Sequence, residues 1–271
     1  MAAAGRPDPR ELLAVAVAVV RPAAEQAHRM RAAGVDQVST KSSDTDVVTA
    51  ADRSVEREVV AALRRTRPDD TVVGEEYGEQ ARGDAGVRWL LDPIDGTVNY
   101  LYGLPWYAVS LAAEVDGAAV AGVVCNPATG QEWTAAAGHG AWSGGRRLRG
   151  SRQTRLGHAL VSTGFGYEPA RRAHQAAVVA GLISEVRDIR RFGAAALDLC
   201  LAAEGWVDAY FERGLSPWDH AAGGLVAVEA GLVVAGLAGR PAGPEMLVAA
   251  PPALFPPLHD RLLALDAAGG P

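Results

Sequence analysis

Carboxylates are the side chains in this sequence whose types and spacing could do chemistry, and they gather in four places. The densest is Leu91-Asp92-Pro93-Ile94-Asp95-Gly96-Thr97, directly after the apolar run Val87–Leu91. That run reads as a buried strand with Asp92 emerging at its end, after which Pro93 stiffens the chain and Asp95-Gly96 turns it. An ordinary strand-ending turn uses the same residue types. The functional alternative is that Asp92, Asp95 and the Ile94 carbonyl converge on hard cations, which demand oxygen ligands. The N–H groups of Gly96 and Thr97 would then open a helix facing an anion. Gly74-Glu75-Glu76 closes another apolar run, Thr71–Val73, 17 residues before Asp92. Adjacent glutamates are commonly a solvated loop, and the sequence does not prove a strand pairing that would bring Glu75 beside Asp92.

The third place is Asp52, on the same helical face as Val55, Val59 and Leu63. A carboxylate there needs a partner or a cation, yet Thr49-x-x-Asp52 is also a capping box that would satisfy it locally. The fourth is Ser216-Pro217-Trp218-Asp219, an N-cap, a first helical proline and a helix-start acid. Asp219 is either that acid alone or a carboxylate brought from the C-terminal half to close a metal site. Competing chemistries lack their signatures: there is no G-x-S-x-G, H-E-x-x-H, Walker A loop or C-x-x-C. Gly164-Phe165-Gly166 is a bare G-x-G, and the histidines at 28, 139, 158, 174, 220 and 259 have no metal-ligand spacing.

The elements that must position these acids follow from periodicity. Residues 10–33 read as a helix bent near Pro22, and Thr49 to about Arg65 as a second helix. From Thr71 the pattern turns to short apolar runs at 71–73, 87–91, 107–113, 118–124 and 132–135, a mainly antiparallel sheet. Gly144-Gly145 marks the boundary between a half spanning 1–145 and a half spanning 146–271. Beyond it strands at 158–162, 186–189, 207–211, 232–235 and 246–249 alternate with helices at 169–182, 194–203, 217–230 and 252–265. The expected class is α/β (α+β) with layered helices and sheets.

Composition narrows the function. The 271 residues are 49% hydrophobic and 21% charged with a net charge of −6, so no basic stripe invites nucleic acid. No stretch approaches the roughly 20 apolar residues of a membrane span. Leu12–Val20 follows Arg6 and Arg10, but Asp8 and Glu11 spoil a signal-peptide reading. Cys125 and Cys200 make no disulfide framework, which places the chain in a reducing cytoplasm. The one lysine, Lys41, stands against 25 arginines, a bias that a GC-rich genome produces and that also singles out Lys41 as a compact charge.

Taken together these segments resemble the inositol monophosphatase family over nearly the whole chain. The resemblance rests on Trp89 to Thr97 with Asn99-Tyr100, the upstream Gly-Glu-Glu, and Trp218-Asp219-x-Ala-Ala-Gly. It also includes Lys41-Ser42-Ser43 through Asp46, Thr49 and Asp52, Arg191 to Leu197, and Ala209-Tyr-Phe-Glu212. It implies an αβαβα sandwich, commonly homodimeric, and a lithium-sensitive, Mg²⁺-dependent phosphomonoesterase with two or three ions. Glu75, Asp92 and the Ile94 carbonyl would hold one ion, and Asp92, Asp95 and Asp219 another. Thr97 paired with Asp52 would help Glu75 orient and deprotonate the attacking water. Asp95, Gly96, Thr97, Gly193, Ala195, Glu212 and Asp219 would contact substrate. Ala194, where several relatives carry Thr or Ser, and His220, where many are apolar, could alter what fits above the phosphate. The implied substrate is a small phosphorylated polyol, myo-inositol 1-phosphate first. Histidinol phosphate or another sugar or nucleotide phosphate is the near alternative, and a catalytically silent regulator of the same fold the distant one. The physical core does not depend on the family: like charges so close cannot all stay ionised without cations.

Overall fold

In the computed structural model residues 7–35, 38–40, 47–81 and 86–270 are described, so Lys41, Ser42, Ser43 and Asp46 lie outside them. Helix α1 (Pro9–Ala33) starts where the Asp8 carboxylate accepts the Arg10 N–H, and ends at Gly34 with φ 108°. Pro22 lies within it without ending it, and Leu12, Ala16, Val19, Val20, Ala23 and Ala27 form its buried stripe. A two-residue ladder, β1 (Ser39–Thr40) with β2 (Val47–Val48), precedes α2 (Ala50–Thr66). Then come β3 (Thr71–Gly74), β4 (Gly78–Ala81), β5 (Val87–Asp95) and the short helix α3 (Thr97–Tyr102). Strands β6 (Ala108–Val115), β7 (Ala118–Asn126), β8 (Gln131–Ala136), β9 (Gly140–Ser143) and β10 (Arg146–Arg147) follow.

Strands β3 to β10 form one eight-stranded sheet in the order β10-β9-β8-β7-β6-β5-β3-β4. Every pairing in it is antiparallel except β3 with β5. One face, with Trp89, Leu91, Val109, Leu111 and Val123, packs on α1 and α2. The alternate residues Leu90, Ala112, Val124 and Trp133 face the other way, the period of two that a strand buried on both faces requires.

The chain then passes through a 3₁₀ turn at Leu156–His158, β11 (Leu160–Thr163), α4 (Pro169–Leu182), β12 (Asp188–Arg190) and α5 (Ala195–Glu204). It continues through β13 (Ala209–Glu212), α6 (Pro217–Glu229), β14 (Val233–Ala235), β15 (Leu247–Ala250) and α7 (Phe255–Ala264). These strands form a mixed sheet ordered β12-β11-β13-β15-β14. Helices α5 and α6 lie between the two sheets, sharing one core with Leu90 and Trp133 on one side and Tyr210 and Leu247 on the other. Leu182 of α4 and Leu258 of α7 cover the far face with Phe211 and Val248. The layers are therefore α1/α2, sheet, α5/α6, sheet, α4/α7, the expected αβαβα sandwich. Cys125 and Cys200 are free and buried, in different core clusters.

Small residues set the middle layer. A Cβ on Gly122 of β7 would stand 3.0 Å from the Ala222 Cα, and one on Gly223 would stand 2.9 Å from the Ala196 carbonyl and the Leu199 Cβ. Helix α6 can thus lie directly on the sheet and on α5, which fixes where its N-terminus, and with it Asp219, is aimed.

Candidate active site

The acids meet because β3 and β5 run parallel. Gly74 pairs with Leu91, and the Glu75 N–H donates to the Leu91 carbonyl at 3.2 Å, so Glu75 leaves its strand beside Asp92. Strand β5 does not stop before Asp92 but runs to Asp95, its pairing with β6 irregular between Asp92 and Asp95. The Asp92 Oδ1 accepts the Ile94 N–H at 3.0 Å, so the chain loops out locally and rejoins β6 at Ala108 opposite Asp95. The sharp reversal comes at Gly96, with φ 88° and room for no Cβ: Ala194 Cβ, the Gly193 carbonyl and the Trp106 carbonyl lie within 3.2 Å of that position.

Each remaining acid is fixed by a helix start. Asp52 accepts the Thr49 N–H at 2.8 Å and the Thr49 hydroxyl on Oδ2, while its Oδ1 accepts the Thr97 hydroxyl at 3.1 Å. One oxygen thus makes the capping box and the other holds Thr97. Asp219 accepts the Ser216 N–H on Oδ2 at 2.7 Å. Asp95 accepts the N–H groups of Ala195 at 3.1 Å and Ala196 at 2.8 Å. It therefore does for α5 what the N-cap side chain of Ala194 cannot.

Glu75, Asp92, Ile94, Asp95, Gly96 and Thr97 line one cavity of about 270 Å³ together with Gly193, Ala194, Ala195, Glu212 and Asp219. Asp52 does not line it but touches Thr97, which does. His220 is not among the lining residues described. Ala195 lines the cavity while its N–H is held by Asp95. A larger groove of about 1020 Å³, bordered by Arg21, His28 and Trp142, shares no residue with this cavity.

Two contacts carried no role in the sequence reading. Tyr210, fully buried, donates its hydroxyl to the Glu212 Oε2 at 2.6 Å. Glu212 fits because Gly164 has no side chain, a Cβ there falling 1.9 Å from the same oxygen. Arg191 stacks its guanidinium on Phe165, 5.9 Å from the ring centre. Tyr210 and Glu212, two apart on one strand, share a face; that alternation was the available signal.

Burial and mutual repulsion dominate the electrostatics. Asp92 is pushed well above the usual carboxylate range by burial first, then by the charges of Glu75, Asp95 and Asp219. Burial likewise raises Asp219 well above it, with Glu75 and Asp95 adding to the shift. Asp95 is raised to about 7 by burial, against the two α5 N–H groups that favour its ionised form. Glu212 is raised to about 6 by burial, with the Tyr210 hydroxyl and Arg191 opposing. Asp52 is raised by burial as well.

This donor set fits a hard divalent cation: several carboxylates and one main-chain carbonyl, all oxygen, in surroundings that penalise their unneutralised charge. Among the described residues no three such side chains already stand in a ready-made ligating group. Asp92, Asp95 and Asp219 are turned toward main-chain N–H groups, which use one lone pair of an oxygen and leave another.

Residues 8–265 match the family model described as the inositol monophosphatase family. The chain belongs to that family. It is 45% identical over 244 residues to the "Inositol-1-monophosphatase" of Mycobacterium leprae, covering 84% of each chain. It is also 40% identical to the "Nus factor SuhB" of Pasteurella multocida, covering 73% of this chain and 75% of that one. In structure it is similar to Mycobacterium tuberculosis SuhB, with a TM-score of 0.85 at 39% identity over 97% of this chain and all of the other. The inositol monophosphatase from Anabaena superposes with a TM-score of 0.83 at 30% identity, over 94% and 96% of the two chains.

Proposed function

We propose that this inositol monophosphatase family member hydrolyses a small phosphate monoester, myo-inositol 1-phosphate foremost, at the cavity between its two sheets. The observation that carries the reading is the convergence of Glu75, Asp92, Asp95 and Asp219 from three separate segments on one cavity. Glu75, Asp92 and the Ile94 carbonyl would hold one Mg²⁺ and Asp92, Asp95 and Asp219 a second, with room for a weaker third near Glu75. When bound, Mg²⁺ supplies positive charge for the phosphoryl oxygens and lowers the pKa of water. Thr97 gives its hydroxyl hydrogen to Asp52 and the Ile94 carbonyl, 3.1 and 3.0 Å away, which leaves its lone pairs to accept and orient a water hydrogen. Glu75, across the β3–β5 register, takes the proton from that water.

The N–H groups of Gly96 and Thr97 face the phosphate. Glu212, steadied by Tyr210, offers its remaining lone pairs to substrate hydroxyls; Asp95, Asp219, Gly193 and Ala195 border the same ring. A homodimer in the cytoplasm, sensitive to Li⁺ and divided near 145/146, completes the reading. No helix among the described residues is long and apolar enough to cross a membrane. A second reading, a role as a Nus factor, is favoured by the similarity to the Pasteurella multocida Nus factor SuhB.

Phosphate release from a panel of phosphomonoesters with and without Mg²⁺ tests both. Mg²⁺-dependent release with the highest kcat/KM on inositol phosphate is expected. Release from no substrate would leave the regulator; preference for histidinol phosphate by about tenfold would replace the substrate.

A further inference from the structure

Helix α2 carries two buried carboxylates one turn apart, Asp52 and Glu56, both fully shielded from solvent. Asp52 grips Thr97. Glu56 reaches the other catalytic segment: its Oε2 accepts the Glu76 N–H at 2.9 Å and its Oε1 the Tyr77 N–H at 3.1 Å. These are the two amides directly after Glu75, in the turn between β3 and β4. On its other flank Glu75 is tied to β5 through the Leu91 carbonyl.

Gly74 lets the Glu56 carboxylate in, since a Cβ there would fall 2.2 Å from Oε1 and 2.6 Å from Oε2. Its φ is not in the left-handed region, so the close approach is what requires glycine. Successive N–H groups form an anion-holding concavity. A carboxylate fits it with both oxygens, whereas a carboxamide has one acceptor and sets its NH₂ against the second N–H.

We propose that Glu56 is a positioning residue for hydrolysis: through the Glu76 and Tyr77 amides it holds Glu75 in register with Asp92 and Thr97. Helix α2 is then a splint, Asp52 fixing one side of the site and Glu56 the other. The inference rests on the reading of Glu75 as metal ligand and proton acceptor.

The test compares wild type with Glu56→Gln, Gly74→Ala and the double variant, using Mg²⁺ titration by calorimetry, amide hydrogen exchange and thermal unfolding alongside kcat/KM. Glu56→Gln is expected to weaken Mg²⁺ binding about tenfold or more, with faster exchange at residues 75–77. Gly74→Ala, which keeps the charge but crowds it out, should do the same, and the double variant should be no worse than Glu56→Gln alone. If Glu56→Gln does not fold, Gly74→Ala carries the comparison. Variants that melt earlier yet bind Mg²⁺ like wild type would reduce Glu56 to a structural role and overturn the proposal, as would losses that multiply in the double variant. A wild type that binds no Mg²⁺ overturns the functional reading and this one with it; a wild type that binds while Glu56→Gln binds equally well overturns only the role of Glu56.

Discussion

Asp95 shows how much one side chain is asked to do. It ends β5, accepts two N–H groups from a helix 100 residues away, and borders the cavity where the other acids gather. An Asp95→Asn variant keeps one acceptor oxygen but points an NH₂ at the second helix N–H. It also removes one of the charges a cation needs. We expect kcat/KM to fall by about a hundredfold or more, hydrogen exchange at Ala195 and Ala196 to quicken, and the circular dichroism to stay that of the folded chain. Near-normal turnover would take Asp95 out of the hydrolytic machinery. Asp52 carries a similar double duty, and neither role competes with the other because each takes a different oxygen.

Helices aim these residues, and α6 is aimed by what it lacks. Gly223 has the Ala196 carbonyl and Leu199 where a Cβ would be, and Ala222 lies against Gly122, so α5, α6 and β7 approach through backbone and methyl groups. Gly223→Val would force α6 away from α5, because a carbonyl of the neighbouring helix cannot turn aside as a flexible side chain could. The expected cost is about 3 kcal/mol of stability, the overpacking penalty of a filled core. Because Asp219 rides on the first turn of α6, kcat/KM should fall together with stability. Thermal unfolding and steady-state kinetics on the purified variant check this; a stable Gly223→Val enzyme with wild-type turnover would mean α6 does not set the position of Asp219.

At the scale of the whole molecule, the acids at the core of the site work against folding when no cation is present. Asp95, held at about 7 instead of 3.8, and Glu212, held at about 6 instead of 4.5, bind protons more tightly folded than unfolded. Asp92 and Asp219 shift the same way. Between those ordinary values and the raised ones the folded state carries more protons, so its stability declines as pH rises. In EDTA the melting temperature should therefore be lower at about pH 8 than at about pH 5.5. Saturating Mg²⁺ should restore stability at pH 8 by binding only the folded chain. A pH-independent melting temperature in EDTA, or no gain from Mg²⁺, would show that these acids do not share a repulsive site.

The sequence by itself determined the local matters. Apolar stripes set α1 and α2, Pro169–Leu182 was legible as a helix with both ends, and turn and cap residues marked Glu75 at the end of its strand and Asp52 and Asp219 at the starts of their helices. Those features depend on neighbours a few residues away, which a sequence displays directly. The parallel pairing of β3 with β5, the extension of β5 to Asp95, the capping of α5 by Asp95 and the grip of Tyr210 on Glu212 were decided only by tertiary structure. A carboxylate at a helix start satisfies its cap whether or not it also faces a cavity. What brings the acids to one place is the parallel pairing of β3 with β5 and the close packing of α6, through Gly223, on α5 and the first sheet, and that packing is a property of no segment alone.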